Sequence, residues 1–134
     1  MKVVGVFRSA LIIVVLGQLA WVFAPWEQLY GDNIIAVSLV SHAEPFVPRR
    51  AVEFFTYVSF LGYLAACVGM FSYRAWARSL FLVMLAINAA WSVVAGLHVQ
   101  SGYEAMFGYV LTVMDGLIVG LSFYSDVANR FSRS

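Results

Sequence analysis

Four long stretches of the sequence are continuously apolar, and the charged residues lie almost entirely between them. A helix needs about 20 residues to cross the hydrocarbon core of a bilayer, and each stretch approaches that length. The pattern predicts membrane-spanning helices over about residues 7–23, 54–73, 79–99 and 105–124. Membrane β-strands would show alternating segments instead of continuous runs, so helices are favoured.

The composition strengthens this interpretation. Hydrophobic residues make up 63% of the 134 residues and charged residues 11%. Soluble domains are about 45–50% apolar and about 25% charged, so the chain does not fit a soluble globule, and it is too apolar for a disordered chain. The net charge of +1 gives no reason to expect a nucleic-acid partner. We therefore predict one all-α membrane domain over residues 1–134.

The first apolar stretch has features of a secretory signal, because Lys2 and Arg8 precede it. Its end, at residues 20–25, is bulky and lacks a small-x-small cleavage site. We expect this stretch to be a retained helix.

The basic residues predict the orientation in the membrane, since they collect on the cytoplasmic side. Six fall at the two chain ends and in the second connection: Lys2, Arg8, Arg74, Arg78, Arg130 and Arg133. Arg49 and Arg50 lie on the opposite side. This distribution places both termini in the cytoplasm. The second and third connections are short, which predicts an antiparallel four-helix bundle.

The connection between the first two helices is long, covers residues 24–53 and contains all three prolines. A loop of this length usually has a function or a structure of its own. Residues 31–33 predict a turn. Residues 34–40 form an apolar element that is too short to span, and helix and strand remain equally open for it. We expect the whole loop on the outer side.

Asp115 is the acidic residue that the apolar pattern does not explain. It lies near the middle of the fourth predicted helix, where an aspartate costs about 2.5–3.5 kcal/mol. No Lys or Arg lies at that depth, so we expect a protonated or hydrogen-bonded carboxyl group and not an ion pair. Gln18, Tyr63 and Asn88 lie at similar depth in the other helices, which predicts an intramembrane polar cluster. The cluster would fix helix register, hold a proton or substrate, or face a partner protein.

Small residues recur at every fourth position of the fourth helix, and this spacing is typical of close helix approach. The positions are Gly108, Thr112, Gly116 and Gly120. We expect the stripe to pack helices within the chain in preference to forming a homodimer seam.

Residues suited to other chemistry are few. His42 and His98 lie on the predicted outer side, each close to a glutamate, which leaves metal binding as a remote alternative. Cys67 has no base at its depth and is most simply a small apolar residue. The sequence contains no phosphate-binding loop, catalytic triad or metalloprotease helix. We therefore predict no catalytic residue, no metal site and no cofactor.

Two motifs resemble those of uncharacterised small bacterial four-helix membrane proteins. One is the Arg-x-Trp-Ala-Arg sequence at residues 74–78, and the other is Tyr-Ser-x-Val-x-x-Arg-Phe at residues 124–131. The resemblance covers the second half of the chain. It implies the same fold and a bacterial inner membrane, and it supplies no activity.

Three functions are compatible with these features. The first is a non-enzymatic accessory or scaffold subunit that engages a larger membrane protein, because the chain has almost no mass outside the bilayer. The second is a small proton-coupled transporter or channel built around Asp115, which would assemble as a homo-oligomer. The third is an immunity-like protein that blocks a toxin in the same membrane. In each case membrane lipids are the immediate partners.

Overall fold

The computed structural model describes residues 2–23, 48–94 and 102–131. Almost all of these residues are helical, and none of them is in a strand. The helices are α1 (Lys2–Phe23), α2 (Arg49–Phe71), α3 (Ala75–Val94), α4 (Gly102–Tyr124) and the short α5 (Ala128–Phe131). The long loop, including the element predicted at residues 34–40, lies outside the described residues, as do His42 and His98.

Four of the helices are long and apolar enough to cross a membrane. The spanning segments are Val3–Phe23, Arg50–Phe71, Ala75–Val93 and Gly102–Tyr124. The segments contain 21, 22, 19 and 23 residues, which matches the thickness of a bilayer core. Large apolar side chains remain exposed on every one, for example Leu16, Leu61, Val93 and Val113. These surfaces suit contact with lipid, so the chain belongs to the class of multi-pass helical membrane proteins.

The helices begin earlier than the hydrophobicity predicts. Pro48 precedes α2 with extended backbone angles (φ −54°, ψ 136°), and its carbonyl oxygen accepts bonds from the amides of Ala51 (2.8 Å) and Val52 (3.2 Å). The hydrophobic pattern misses the first turn of each long helix, because Lys, Arg, Glu or Gly residues interrupt it there. Residues 49–53, predicted as the end of the long loop, are helical.

A tight turn joins α2 to α3. The amide of Arg74 donates to the carbonyl oxygen of Gly69 (2.9 Å), and the amide of Tyr73 donates to that of Met70 (3.0 Å). This pairing is a Schellman motif, which requires a left-handed residue directly after the helix. Tyr73 takes that conformation with φ 57°. Since glycine is the usual residue there, an aromatic side chain at this position has to be stabilised by its contacts.

The helices pack mainly in two pairs, α2 with α3 and α1 with α4, while α3 and α4 touch little. Glycines allow the closest approaches. A Cβ atom on Gly69 would lie 2.7 Å from that of Ala77, and one on Gly62 would lie 2.6 Å from the sulfur of Met84. Gly17 of α1 packs against Leu111 of α4. Because α3 and α4 do not close against each other, space remains between the two pairs.

The core lies toward the end of the bundle where α1 begins. It includes Phe7, Leu11 and Val14 of α1. The other helices contribute Ala66, Met70, Phe81, Ile118 and Phe131. Ser125 shapes the turn before α5, because its hydroxyl oxygen accepts a bond from the amide of Val127 (3.2 Å). This turn directs Phe131 into the core.

Candidate functional site

Asp115 lies on the packed face of α4 and is held by a residue of α2. The buried positions of this face are Glu104, Leu111, Asp115, Ile118 and Ser122. The hydroxyl group of Tyr63 donates a hydrogen bond to Oδ1 of Asp115. Both side chains are buried, with exposed fractions of 3% for Tyr63 and 7% for Asp115. Within the described segments, no Lys or Arg forms an ion pair with this carboxyl group.

A partly open cavity of about 640 Å³ lies beside this pair. The four residues of the predicted polar cluster all line it: Gln18, Tyr63, Asn88 and Asp115. They do not form one continuous network. Gln18 is half-buried and close to the Tyr63 hydroxyl, whereas Asn88 is exposed at the cavity wall. The bond from Tyr63 to Asp115 joins α2 to α4, and Gln18 of α1 also interacts with the Tyr63 hydroxyl group.

The threonine hydroxyl groups around the cavity donate hydrogen bonds to backbone carbonyl oxygens of their own helices. Thr112 donates to the carbonyl oxygen of Gly108 at 2.9 Å, and Thr56 donates to that of Val52 at 2.9 Å. Ser59 is buried and lines the cavity. Bonds within a helix leave the cavity walls weakly polar, so Asp115 provides the main polar feature.

Aromatic side chains form the walls farther from Asp115. Phe55 of α2 stacks on Trp91 of α3 with ring centroids 3.9 Å apart. Trp21 of α1 stacks on Phe107 of α4 at 6.0 Å. Phe55, Trp91 and Trp21 all line the cavity. Each stack joins the two helices of one packing pair, so the gap between the pairs is bordered by rings on both sides.

Asp115 is the one charged residue among the described residues that line the cavity. When ionised, it adds a negative charge to a lining of mostly apolar and aromatic side chains. A mostly apolar pocket of this size with a few polar groups is typical of small-molecule sites. Ring faces attract cations, because their quadrupole is negative above and below the plane.

The glycine stripe of α4 has few close neighbours among the described residues. Gly108 approaches Trp21, where a Cβ atom would meet the ring at an ordinary 3.6 Å. At Gly116 and Gly120, a Cβ atom would find no described neighbour within 4 Å. Thr112 is exposed. Among the described residues, no side chain packs closely against Gly116 or Gly120, and close packing there stays a prediction. The tight contacts fall at Gly17, Gly62 and Gly69.

The described residues suited to other chemistry do not cluster into a second site. Cys67 is buried next to Tyr63, as expected for a small apolar side chain. In the described parts of the chain, no group of three His, Cys, Asp or Glu residues could hold a metal ion. The aromatic side chains that line the cavity were not predicted from the sequence, although their spacing from the polar residues indicates them. Trp21 follows Gln18 by three residues and Trp91 follows Asn88 by three, so each tryptophan lies one turn above a cluster residue.

The chain matches no protein-family model, no curated protein and no solved structure in the three comparisons.

Proposed function

We propose that this protein is a small proton-coupled carrier that binds a monovalent organic cation at Asp115. One observation carries the proposal: a buried carboxyl group lines a partly open cavity whose other described lining residues are uncharged and mostly apolar or aromatic. An amine or a quaternary ammonium group would pair with the carboxylate. Its apolar body would lie against Trp21, Phe55 and Trp91.

Proton coupling follows because the proton and the organic cation compete for the same carboxyl group. Tyr63 occupies Oδ1 of Asp115 with a hydrogen bond, which holds the group in place. A proton or an organic cation can neutralise the carboxylate, and binding of the cation requires that the proton leave. Exchange of one for the other moves no net charge in the cavity. A carboxyl group deep in a membrane helix is a common element of proton relays.

The proposed arrangement is an antiparallel four-helix bundle in a bacterial inner membrane, with both termini in the cytoplasm. The order of contacts supports it. Gly69 near the end of α2 meets Ala77 near the start of α3, and Phe55 near the start of α2 meets Trp91 near the end of α3. The six basic residues at one end of the helices support the orientation.

The test is uptake of tritium-labelled benzyltrimethylammonium into liposomes that contain the purified protein. With an acidic interior, outward proton flow should drive accumulation above that of protein-free liposomes, and a protonophore should abolish it. Asp115→Asn should remove the uptake while leaving room for the Tyr63 bond. Tyr57→Phe is the matched control, because Tyr57 lies on α2 and is 61% exposed. Equal uptake by the wild type and Asp115→Asn would contradict the proposal, as would a wild type equal to protein-free liposomes.

The accessory-subunit function remains the second proposal, and the open glycine face of α4 favours it. Gly116 and Gly120 leave space for a helix of another protein to approach closely. p-Benzoylphenylalanine in place of Leu117, an exposed residue between the two glycines, would test this by photo-cross-linking in native membranes, because it reacts with C–H bonds of any neighbouring chain. A single cross-linked product with a larger membrane protein supports a subunit role. A product of twice the mass indicates a homo-oligomer, and no product contradicts both.

A further inference from the structure

Three aromatic rings from distant parts of the sequence meet at the end of the bundle where α1 begins. Phe7 of α1 stacks with Tyr73 of the α2–α3 turn at 6.2 Å. Phe131 of α5 packs edge-on to Phe7 at 6.1 Å and to Tyr73 at 5.5 Å. Phe7 and Phe131 are almost completely buried. The rings connect the first helix, the turn and the last helix.

Three arginines surround these rings. The guanidinium groups of Arg8 and Arg130 each lie 5.5 Å from the centroid of Tyr73. That of Arg78 lies 4.8 Å from the centroid of Phe131. Because a guanidinium group over a ring directs its N–H groups sideways, the donors stay available for an acceptor. We call these three arginines and three rings the arginine–aromatic cluster.

The positive charges of the cluster have no ion-pair partner among the described residues. None of its arginines forms an ion pair with a carboxylate of the described segments. Arg78 donates from Nη1 to the carbonyl oxygen of Ser122 at 3.2 Å, while its buried Nε has no hydrogen-bond partner there. Cations that share one ring system repel each other unless an anion lies among them.

The position of the cluster indicates which anion fits. The spans at this end begin or finish at Val3, Phe71, Ala75 and Tyr124. The cluster therefore lies where membrane helices meet lipid headgroups. Arginine binds phosphate oxygens through two parallel N–H bonds, and basic pockets between membrane helices bind anionic headgroups.

We propose that the arginine–aromatic cluster binds the phosphodiester group of an anionic phospholipid. Arg78 supplies the inner donor through Nε, and Arg8 and Arg130 close around the phosphate from α1 and α5. Such a ligand neutralises the three cations and ties both chain ends to the α2–α3 turn. The lipid therefore stabilises the folded bundle.

The test is a titration of delipidated protein in neutral detergent with short-chain phosphatidylglycerol, phosphatidylcholine or inorganic phosphate. Thermal unfolding and native mass spectrometry are the measurements. Phosphatidylglycerol should raise the Tm and remain bound, whereas phosphatidylcholine should do neither. Arg78→Gln and Arg130→Gln should each weaken phosphatidylglycerol binding about tenfold. Arg74→Gln is the matched control, because Arg74 is exposed at the same end and stacks on no described ring.

Other results of this titration would contradict a specific site for the lipid phosphate. Equal effects of phosphatidylglycerol and phosphatidylcholine on the wild type would overturn the proposal without any variant. Inorganic phosphate that matches the lipid would show a free-anion site instead. Equal weakening by Arg74→Gln would show a diffuse positive surface. If the glutamine variants do not fold, Arg78→Lys keeps the charge and should still lose binding, since lysine lacks the guanidinium fork.

Discussion

The hydroxyl group of Tyr63 on α2 donates a hydrogen bond to the carboxyl group of Asp115 on α4, although the two residues are 52 positions apart in sequence. The bond joins two helices that belong to different packing pairs. It also fixes the direction of the carboxyl group beside the cavity. The same contact therefore stabilises the bundle and positions the carboxyl group that we propose to bind the cation.

Removing this contact should cost a modest but measurable free energy of unfolding. Interhelical hydrogen bonds in membranes contribute about 0.6 kcal/mol on average and up to about 1.7 kcal/mol. Tyr63→Phe should therefore lower stability by that amount in a denaturant titration in mixed micelles, and Tyr57→Phe should not. In an Asp115→Ala background, Tyr63→Phe should have no further effect. Additive losses in the double variant would show that the bond contributes nothing.

Glycine positions should differ sharply in their tolerance of a methyl group. Gly69→Ala places its Cβ atom 2.7 Å from the Cβ of Ala77, which the backbone of α3 holds in place. We expect a loss of about 1–3 kcal/mol, as for overpacked cores. Gly116→Ala and Gly120→Ala enter open space and should stay within about 0.5 kcal/mol of the wild type. The unfolding transition in detergent measures all three. Damage at Gly120 equal to that at Gly69 would contradict the open face of α4.

These glycines also show how far the sequence could lead. The hydrophobic pattern predicted the four spans, and the cost of a buried carboxyl group identified Asp115. Gln18, Tyr63 and Asn88 were then predicted to surround Asp115, because they lie at a similar depth in the other predicted helices. The pairing of helices could not be predicted, because spacing of small residues is the same whether they face a helix, lipid or a cavity. The contacts of Gly17 and Gly69 pair the helices, and only the structure shows them.

The aromatic ring of Tyr73 should stabilise the fold by more than its left-handed backbone conformation costs. Tyr73→Gly relieves a strain of roughly 1–2 kcal/mol. It also removes two aromatic pairs, each worth about 0.5–1.5 kcal/mol, and two cation–π contacts of about 0.5–1 kcal/mol each. The losses are larger, so thermal unfolding should show a net decrease in stability. Tyr73→Phe keeps the ring and serves as the control. A more stable Tyr73→Gly variant would mean that the arginine–aromatic cluster contributes little.

The proposed topology predicts which side of the membrane each connection faces. Ser72 in the α2–α3 turn and Gly102 at the start of α4 are both exposed. Single cysteines at these positions, in a Cys67→Ala background, should react with an impermeant maleimide from opposite sides. Ser72→Cys should be labelled in inside-out vesicles and Gly102→Cys in intact cells. Labelling of both from one side would mean that α3 does not span the membrane.

The cavity should lose its ligand when Gly116 is enlarged, because Gly116 lines the cavity next to Asp115 and has open space in front of it. In Gly116→Leu the side chain occupies the volume that the proposed cation needs, while the bond between Tyr63 and Asp115 stays intact. We expect roughly 5- to 150-fold weaker binding of benzyltrimethylammonium in equilibrium dialysis, since overpacking typically costs about 1–3 kcal/mol. Gly120→Leu adds the same side chain to the same helix at another open position that does not line the cavity, so it should bind like the wild type. If both variants bind the cation as tightly as the wild type, the cation does not occupy this cavity. If both lose cation binding but unfold at the same midpoint as the wild type, the cation binds at the open face of α4 and not in the cavity.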